Sequence, residues 1–229
     1  MVEKGFFEGI HWGVGPFDVT GSIVITWILT VLIVLASWAW VRFSRGSLGP
    51  GRMLLEALFE ALEGGVEGVL GPRAREVFPF IATLWVFIFV SNMIGLVPGF
   101  KSPTSDLSVT SALAFLVFLS VHWYGVRLEG WRGYLGHYLS PNPILLPFHL
   151  VSEVSRTLAL AVRLFGNMMS LELTAVLVLM VAGLLVPVPL LMLHIVEAVI
   201  QSYIFGMLAL VYIAGALRAR DAQRRGTEA

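Results

Sequence analysis

The chain has 229 residues, 57% of them hydrophobic and only 13% charged, with a formal net charge of zero. Soluble domains carry about 25% charge, so this composition, with a mean hydropathy of +0.85, belongs to a membrane protein and leaves no basic footprint for nucleic acid. The lack of cysteine excludes disulfides, thiolate chemistry and cysteine-ligated zinc. Lysine occurs only at Lys4 and Lys101, neither after a glycine-rich loop, so the chain does not itself bind ATP through a phosphate-cradling loop.

Apolar runs of roughly 20 residues mark membrane spans, because a helix rises ~1.5 Å per residue across ~30 Å of hydrocarbon. No cleavable signal is expected, since the first run starts near Gly21, too far in and too long for one. The runs are 21–41, 78–98, 108–126, 147–186 and 189–217, the last two separated by the turn signal VPVP. Between the first two lies RMLLEALFEALEGGVEGVL, residues 52–70, with Glu56, Glu60, Glu63 and Glu67 along one stripe. Leu55, Leu58, Phe59, Leu62 and Val66 make the opposing stripe. This amphipathic helix either lies on the membrane surface or packs on a partner; its acidic face makes anionic lipid a poor sole partner.

The spacing therefore predicts an all-α polytopic membrane protein: five membrane-embedded helices plus one amphipathic surface helix, with the last two helices long and tilted as a hairpin. The expected divisions are an external N-terminal tail over 1–20, a first transmembrane helix over 21–45 and a cytoplasmic amphipathic segment over 46–77. A transmembrane hairpin over 78–127, a cytoplasmic loop over 128–146, the long hairpin over 147–217 and a basic cytoplasmic tail over 218–229 follow. Arginines set the orientation. Arg42, Arg45, Arg52, Arg73 and Arg75, then Arg127 and Arg132, then Arg218, Arg220, Arg224 and Arg225 fall on one side. Five crossings place that side in the cytoplasm and the N-terminus outside.

Residues 147–186 as one helix would be ~60 Å long, about twice the hydrocarbon thickness, so an upright helix is excluded and an oblique one expected. At roughly 100° per residue, with Arg163 at zero, Arg156 falls near +20°, Asn167 near +40°, Ser170 near −20° and Thr174 near +20°. Glu172 falls near 180° on the same scale, so it cannot pair simply with Arg163 along the helix. In the next helix His194, Glu197 and Gln201 share a sector of about 60°, to which Tyr212 returns five turns on. A hairpin could set that stripe against Glu172, leaving one face of the first helix for a partner and the other for a polar passage.

Arginine stays charged where lysine or histidine could discharge. Holding it at membrane depth costs ~2.5–3.5 kcal/mol on insertion scales, so a permanent cation there implies an anion that visits or stays. A structural pair with Glu153 or Glu172 is the alternative for Arg163, and snorkelling to the interface is the alternative for Arg156. Glu172, His194 and Glu197 can each take and release a proton, as a proton or cation path through lipid requires; satisfied core polar groups are the competing reading. His122 and His149 stand alone, and no recognised metal-ligand motif is present.

RLFGNM at 163–168, a glutamate at Glu172, and His194 seven residues before Gln201 resemble the a-subunit family of F-type ATP synthases. FIFVSNMIGLVPG at 87–99, PTSDLSVT at 103–110 and SEVSRTLALAVRLFGN at 152–167 add to the resemblance, which covers about residues 75–217. It implies a membrane stator pressed against a ring of c subunits, each with one buried carboxylate, and two offset half-channels for protons or sodium. Peripheral-stalk b subunits, the lipid bilayer and, indirectly, the catalytic head would be further partners. Such a chain is a non-nucleotide-binding component with no cofactor, and multi-pass in the bacterial plasma membrane. Arg163 would match the family's essential arginine. Asn167, Glu172, His194, Glu197 and Gln201 would line the ion path, with Arg156, Ser170 and Tyr212 in support. Two departures stand out: Thr157 and Ala159 replace the common proline and serine, and Glu197 adds a carboxyl close to His194.

A secondary transporter that binds an anion at Arg163 is a rival reading, but internal repeats and broken helices, its usual marks, are not evident. A purely structural scaffold would leave these polar groups in lipid without a task.

Overall fold

The computed structural model describes residues 12–14, 17–19, 21–43, 50–97, 100–129, 146–182 and 188–227. Of the turn expected at VPVP, Val186 and Pro187 lie outside them while Val188 and Pro189 already open the last helix, and most of the cytoplasmic loop expected over 128–146 lies outside them as well. Among the described residues six α-helices carry the fold: α1 (Gly21–Phe43), α2 (Pro50–Leu70), α3 (Ala74–Ile94), α4 (Leu107–Glu129), α5 (Leu146–Ala182) and α6 (Val188–Thr227). Among the described residues, five helical stretches are long and apolar enough to cross a membrane. The exception to an all-helical chain, among the described residues, is a short antiparallel ribbon of β1 (Trp12–Val14) and β2 (Phe17–Val19), pairing Trp12 with Val19. It lies inside the segment expected as a plain tail.

α1 hides its polar groups locally: the Thr26 and Thr30 hydroxyls donate to the carbonyls of Ser22 and Thr26 at 2.7 and 2.8 Å. Ile25 and Leu29 are buried, while Trp27, Leu32, Leu35 and Trp38 face outward, as a lipid-facing helix requires. α2 is amphipathic as expected, with an Arg52–Glu56 pair at 2.8 Å one turn apart. Its C-terminal half packs inward, through fully buried Val66 with Leu62, Val69 and Leu70 against the core, whereas Leu55, Leu58 and Phe59 remain exposed. Gly71, at φ +59°, ends it in the left-handed conformation that glycine adopts without a Cβ clash.

α3 runs four residues earlier than the predicted span of 78–98. The chain leaves the helix after Ile94 through turns closed by Leu96 N–H to the Met93 carbonyl and Val97 N–H to the Ile94 carbonyl. Proline at 98 disfavours a helical residue before it. The chain then folds back into the bundle, where the 3-10 turn Pro103–Ser105 is buried. Asp106 starts α4 by accepting the Ser108 N–H at 2.9 Å, an N-cap.

α5 has 37 residues and α6 has 40, lengths of about 55 and 60 Å. The helix of α6 continues to Thr227 through most of what was expected as a tail. Ile81, Ile88, Leu164, Met168, Phe205, Leu210 and Ile213 form the centre of the core, between α3, α5 and α6. The Trp85 indole N–H donates to the Tyr203 carbonyl of α6 at 3.2 Å, and its ring stacks on Tyr203.

Candidate functional site

The buried stripe of α5, made by Leu160, Leu164 and Met168, is centred about 100° around the helix from Arg163. Arg163 and Glu172 therefore sit on opposite flanks of it. Arg163 is exposed on the surface of the chain, and no hydrogen bond or ion pair to it occurs among the described residues. Its neighbours on that face, Ala159, Gly166 and Ser170, are small and exposed, and a Cβ on Gly166 would meet nothing within 4 Å. Small residues let a second helix approach closely inside a membrane.

Asn167 stands about 40° from Arg163 on α5. It lies at the edge of the buried stripe and turns inward, donating its amide to Gln201 Oε1 at 2.8 Å. Gln201 is 1% exposed, so the two amides tie α5 to α6 one turn beyond Arg163.

Glu172 meets the returning loop rather than the whole α6 stripe expected for it. Its Oε1 accepts the Ser102 backbone N–H at 2.9 Å, with Ser105, Lys101 and His194 within interaction range. Ser102 donates its hydroxyl to the Ser91 carbonyl at 2.9 Å or shares it with Thr104 at 2.7 Å. Thr104 donates to Asn92 Oδ1 at 2.6 Å, and the Asn92 carbonyl lies 3.2 Å from His194 Nε2. A carbonyl only accepts, so Nε2 carries the proton. Glu172 and His194 are thus joined through a buried polar chain.

The other members of this network, Asn92 of α3 and Ser102, Thr104 and Ser105 of the loop after it, were absent from the sequence-based site. Their signal was there: an asparagine inside an apolar run, and three hydroxyls around Pro103. Thr104→Val is isosteric but strips Asn92 Oδ1 of its donor, while Asn92 Nδ2 already lacks a partner among the described residues. Leaving a buried acceptor unpaired costs about 1–3 kcal/mol. The thermal midpoint of the solubilised protein should fall accordingly; an unchanged midpoint would contradict this network.

Glu197 is partly buried and makes no hydrogen bond or ion pair among the described residues. Ser170 is exposed. Tyr212 does not join the His194 group: it is 18 residues on, ~27 Å along the helix, and the Arg156 guanidinium lies over its ring at 5.8 Å, a cation–π contact. His122, expected to stand alone, reaches Glu153 instead, with Nε2 to Oε2 at 3.5 Å. Among the described residues no group of three or more metal-ligating side chains occurs.

Long apolar helices, a mid-span surface arginine and a buried acid–imidazole network define a polytopic helical membrane protein with ionisable groups set inside its spans. Residues 23–214 match the family described as "ATP synthase A chain". The chain is 52% identical over 228 residues to "ATP synthase subunit a" of Legionella pneumophila (strain Corby), covering 99% of each. It is 56% identical over 214 residues to "ATP synthase subunit a 2" of Pelobacter propionicus, covering 93% of this chain and 94% of the relative. "ATP synthase subunit a 1" of Hahella chejuensis is 54% identical over 219 residues, 95% and 92% of the two chains. The chain belongs to the ATP synthase subunit a family, a multi-pass membrane component of that complex.

Proposed function

We propose that this subunit forms two offset half-channels and couples ion flow to rotation of a ring of c subunits, through Arg163 facing the ring carboxylates. The observation that carries this is a permanent cation at mid-span, exposed, with no counter-ion among the described residues of its own chain. Such a charge costs several kcal/mol in lipid, so its anion comes from a partner. A ring carboxylate facing lipid must be neutral, by protonation or a bound cation; opposite Arg163 it is stable ionised. The arginine makes each passing carboxylate release its ion on one side and rebind one only after moving past. It also repels a cation that would leak directly between the half-channels. The drive is ~2.3 kcal/mol per charge per 100 mV.

Glu172 and His194, in the buried chain near the loop between α3 and α4, serve the outer half-channel, with Glu197 beside them. Asn167 and Gln201 fix the hairpin next to the arginine, and Arg156, Ser170 and Tyr212 support that surface. The N-terminus lies outside and the C-terminus in the cytoplasm of a bacterial plasma membrane, with peripheral-stalk b subunits and, through them, the catalytic head as further partners. The coupling ion is a proton or sodium.

In membranes stripped of the head, Glu172→Gln and His194→Ala should each slow potential-driven ion flow several-fold. Wild-type flow in both variants across the pH range would exclude these side chains from the path. Saturable uptake of an organic anion, abolished by Arg163→Ala, would instead favour a transporter.

A further inference from the structure

Glu172 lies nine residues after Arg163 on α5, about 14 Å along the axis, and Glu153 lies ten residues before it, about 15 Å in the opposite direction. The second carboxylate is as well placed as the first, and the sequence reading gave it no task beyond a possible pair with Arg163. Its partner is His122 of α4, with Nε2 3.5 Å from Glu153 Oε2. The other ring nitrogen is committed: Nδ1 lies 2.9 Å from the Phe118 carbonyl, which only accepts, so Nδ1 holds a proton. A neutral imidazole in that tautomer would turn a bare Nε2 lone pair toward a carboxylate. One further proton, on Nε2 or on Glu153, makes the approach favourable. Both side chains are partly accessible, 30% and 23% exposed, and each lies seven residues, about 10 Å, from the end of α4 or start of α5 that faces the cytoplasm in this orientation, within reach of interfacial water.

We propose that His122 and Glu153 together hold one exchangeable proton and form the point at which the path beside Arg163 meets cytoplasmic water. This rests on the reading of the chain as an ion-conducting stator, and assigns it protons as coupling ion. One proton arrives from a ring carboxylate near Arg163 and one leaves to water as hydronium, so the pair returns to its starting state. In synthesis the traffic runs outward to the cytoplasm; in hydrolysis it reverses. Among the described residues, Arg156 stands one turn after Glu153 on α5 with its guanidinium over the Tyr212 ring of α6, and Tyr124, two residues after His122 on α4, has Arg127 and Glu76 of α3 in range of it.

The test uses inverted membrane vesicles carrying the whole complex, stripped of the head, so that the bath is the cytoplasmic side. Passive proton flow at fixed internal pH is measured against bath pH. Glu153→Gln and His122→Gln should each lower the flow several-fold and flatten its dependence on bath pH. Reduced flow with the wild-type bath-pH profile would mean that the pair only staples α4 to α5, and would overturn the proposal. So would wild-type flow in both variants while Glu172→Gln still slows it, and in that case the stator reading survives. If Arg163→Ala vesicles that retain the head still synthesise ATP, that reading itself has failed. Where the single variants do not assemble, the exchanged pair, His122→Glu with Glu153→His, decides: restored flow supports a proton site, and restored assembly without flow refutes it.

Discussion

Arg163→Ala is expected to abolish ATP synthesis driven by an ion gradient, and coupled pumping with it, while the catalytic head still hydrolyses ATP once detached. Without the cation a ring carboxylate has no reason to ionise at the stator, so its ion is not released and the ring gains no direction. Stability should barely move. Arg163 is exposed and bonded to nothing among the described residues, and such substitutions usually stay within about 0.5 kcal/mol. Had it been one half of a buried pair in its own chain, removal would cost about 3–5 kcal/mol. Arg163→Lys should also lose coupling, with some passive leak, because lysine can discharge where a guanidinium cannot. Gradient-driven synthesis at the wild-type rate in Arg163→Ala membranes would refute the stator reading.

Gly206→Ala should have the second largest effect, for a steric reason. A Cβ there would collide with Nε1, Cδ1 and Cε2 of Trp85. The indole cannot swing aside freely, because Trp85 is 6% exposed and both its hydrogen bond and its stacking partner are Tyr203. Overpacking of this kind costs about 1–3 kcal/mol. It would also displace α6 against α3, moving His194 and Gln201 with it, so ion flow should fall alongside the thermal midpoint. Gly215 is the control. A Cβ there meets nothing within 4 Å, and alanine in a helix is favoured over glycine by about 1 kcal/mol, so Gly215→Ala should be neutral or stabilising. Equal behaviour of the two variants would rule out the Trp85 contact as the cause.

Periodicity in the sequence placed much of this correctly. The uncharged runs gave the spans, and the 100° step put Arg163 and Glu172 on different sides of one helix, where the structure has them. It did not show that Asn167 turns inward to Gln201, because an angle of about 40° from Arg163 does not say where the buried stripe ends. Tyr212 shares a helical sector with His194, but a shared sector over five turns is no contact. Pairings across large separations were beyond reach. Nothing local announces that the loop after Ile94 folds back so that Ser102 meets Glu172, 70 residues on, or that His122 of α4 meets Glu153 of α5. Thr104 and Ser105 lie inside the stretch 103–110 that carries the family resemblance, but with Ser102 before them the better signal was chemical: several donors entering an apolar bundle.

A structure of the assembled membrane sector, read for the surroundings of the Arg163 guanidinium, tests the account most directly. A carboxylate of a neighbouring c subunit should lie within about 4–6 Å of it, the range in which an opposite charge favours ionisation. A guanidinium turned into bulk water, or held permanently by a carboxylate of its own chain, would contradict it.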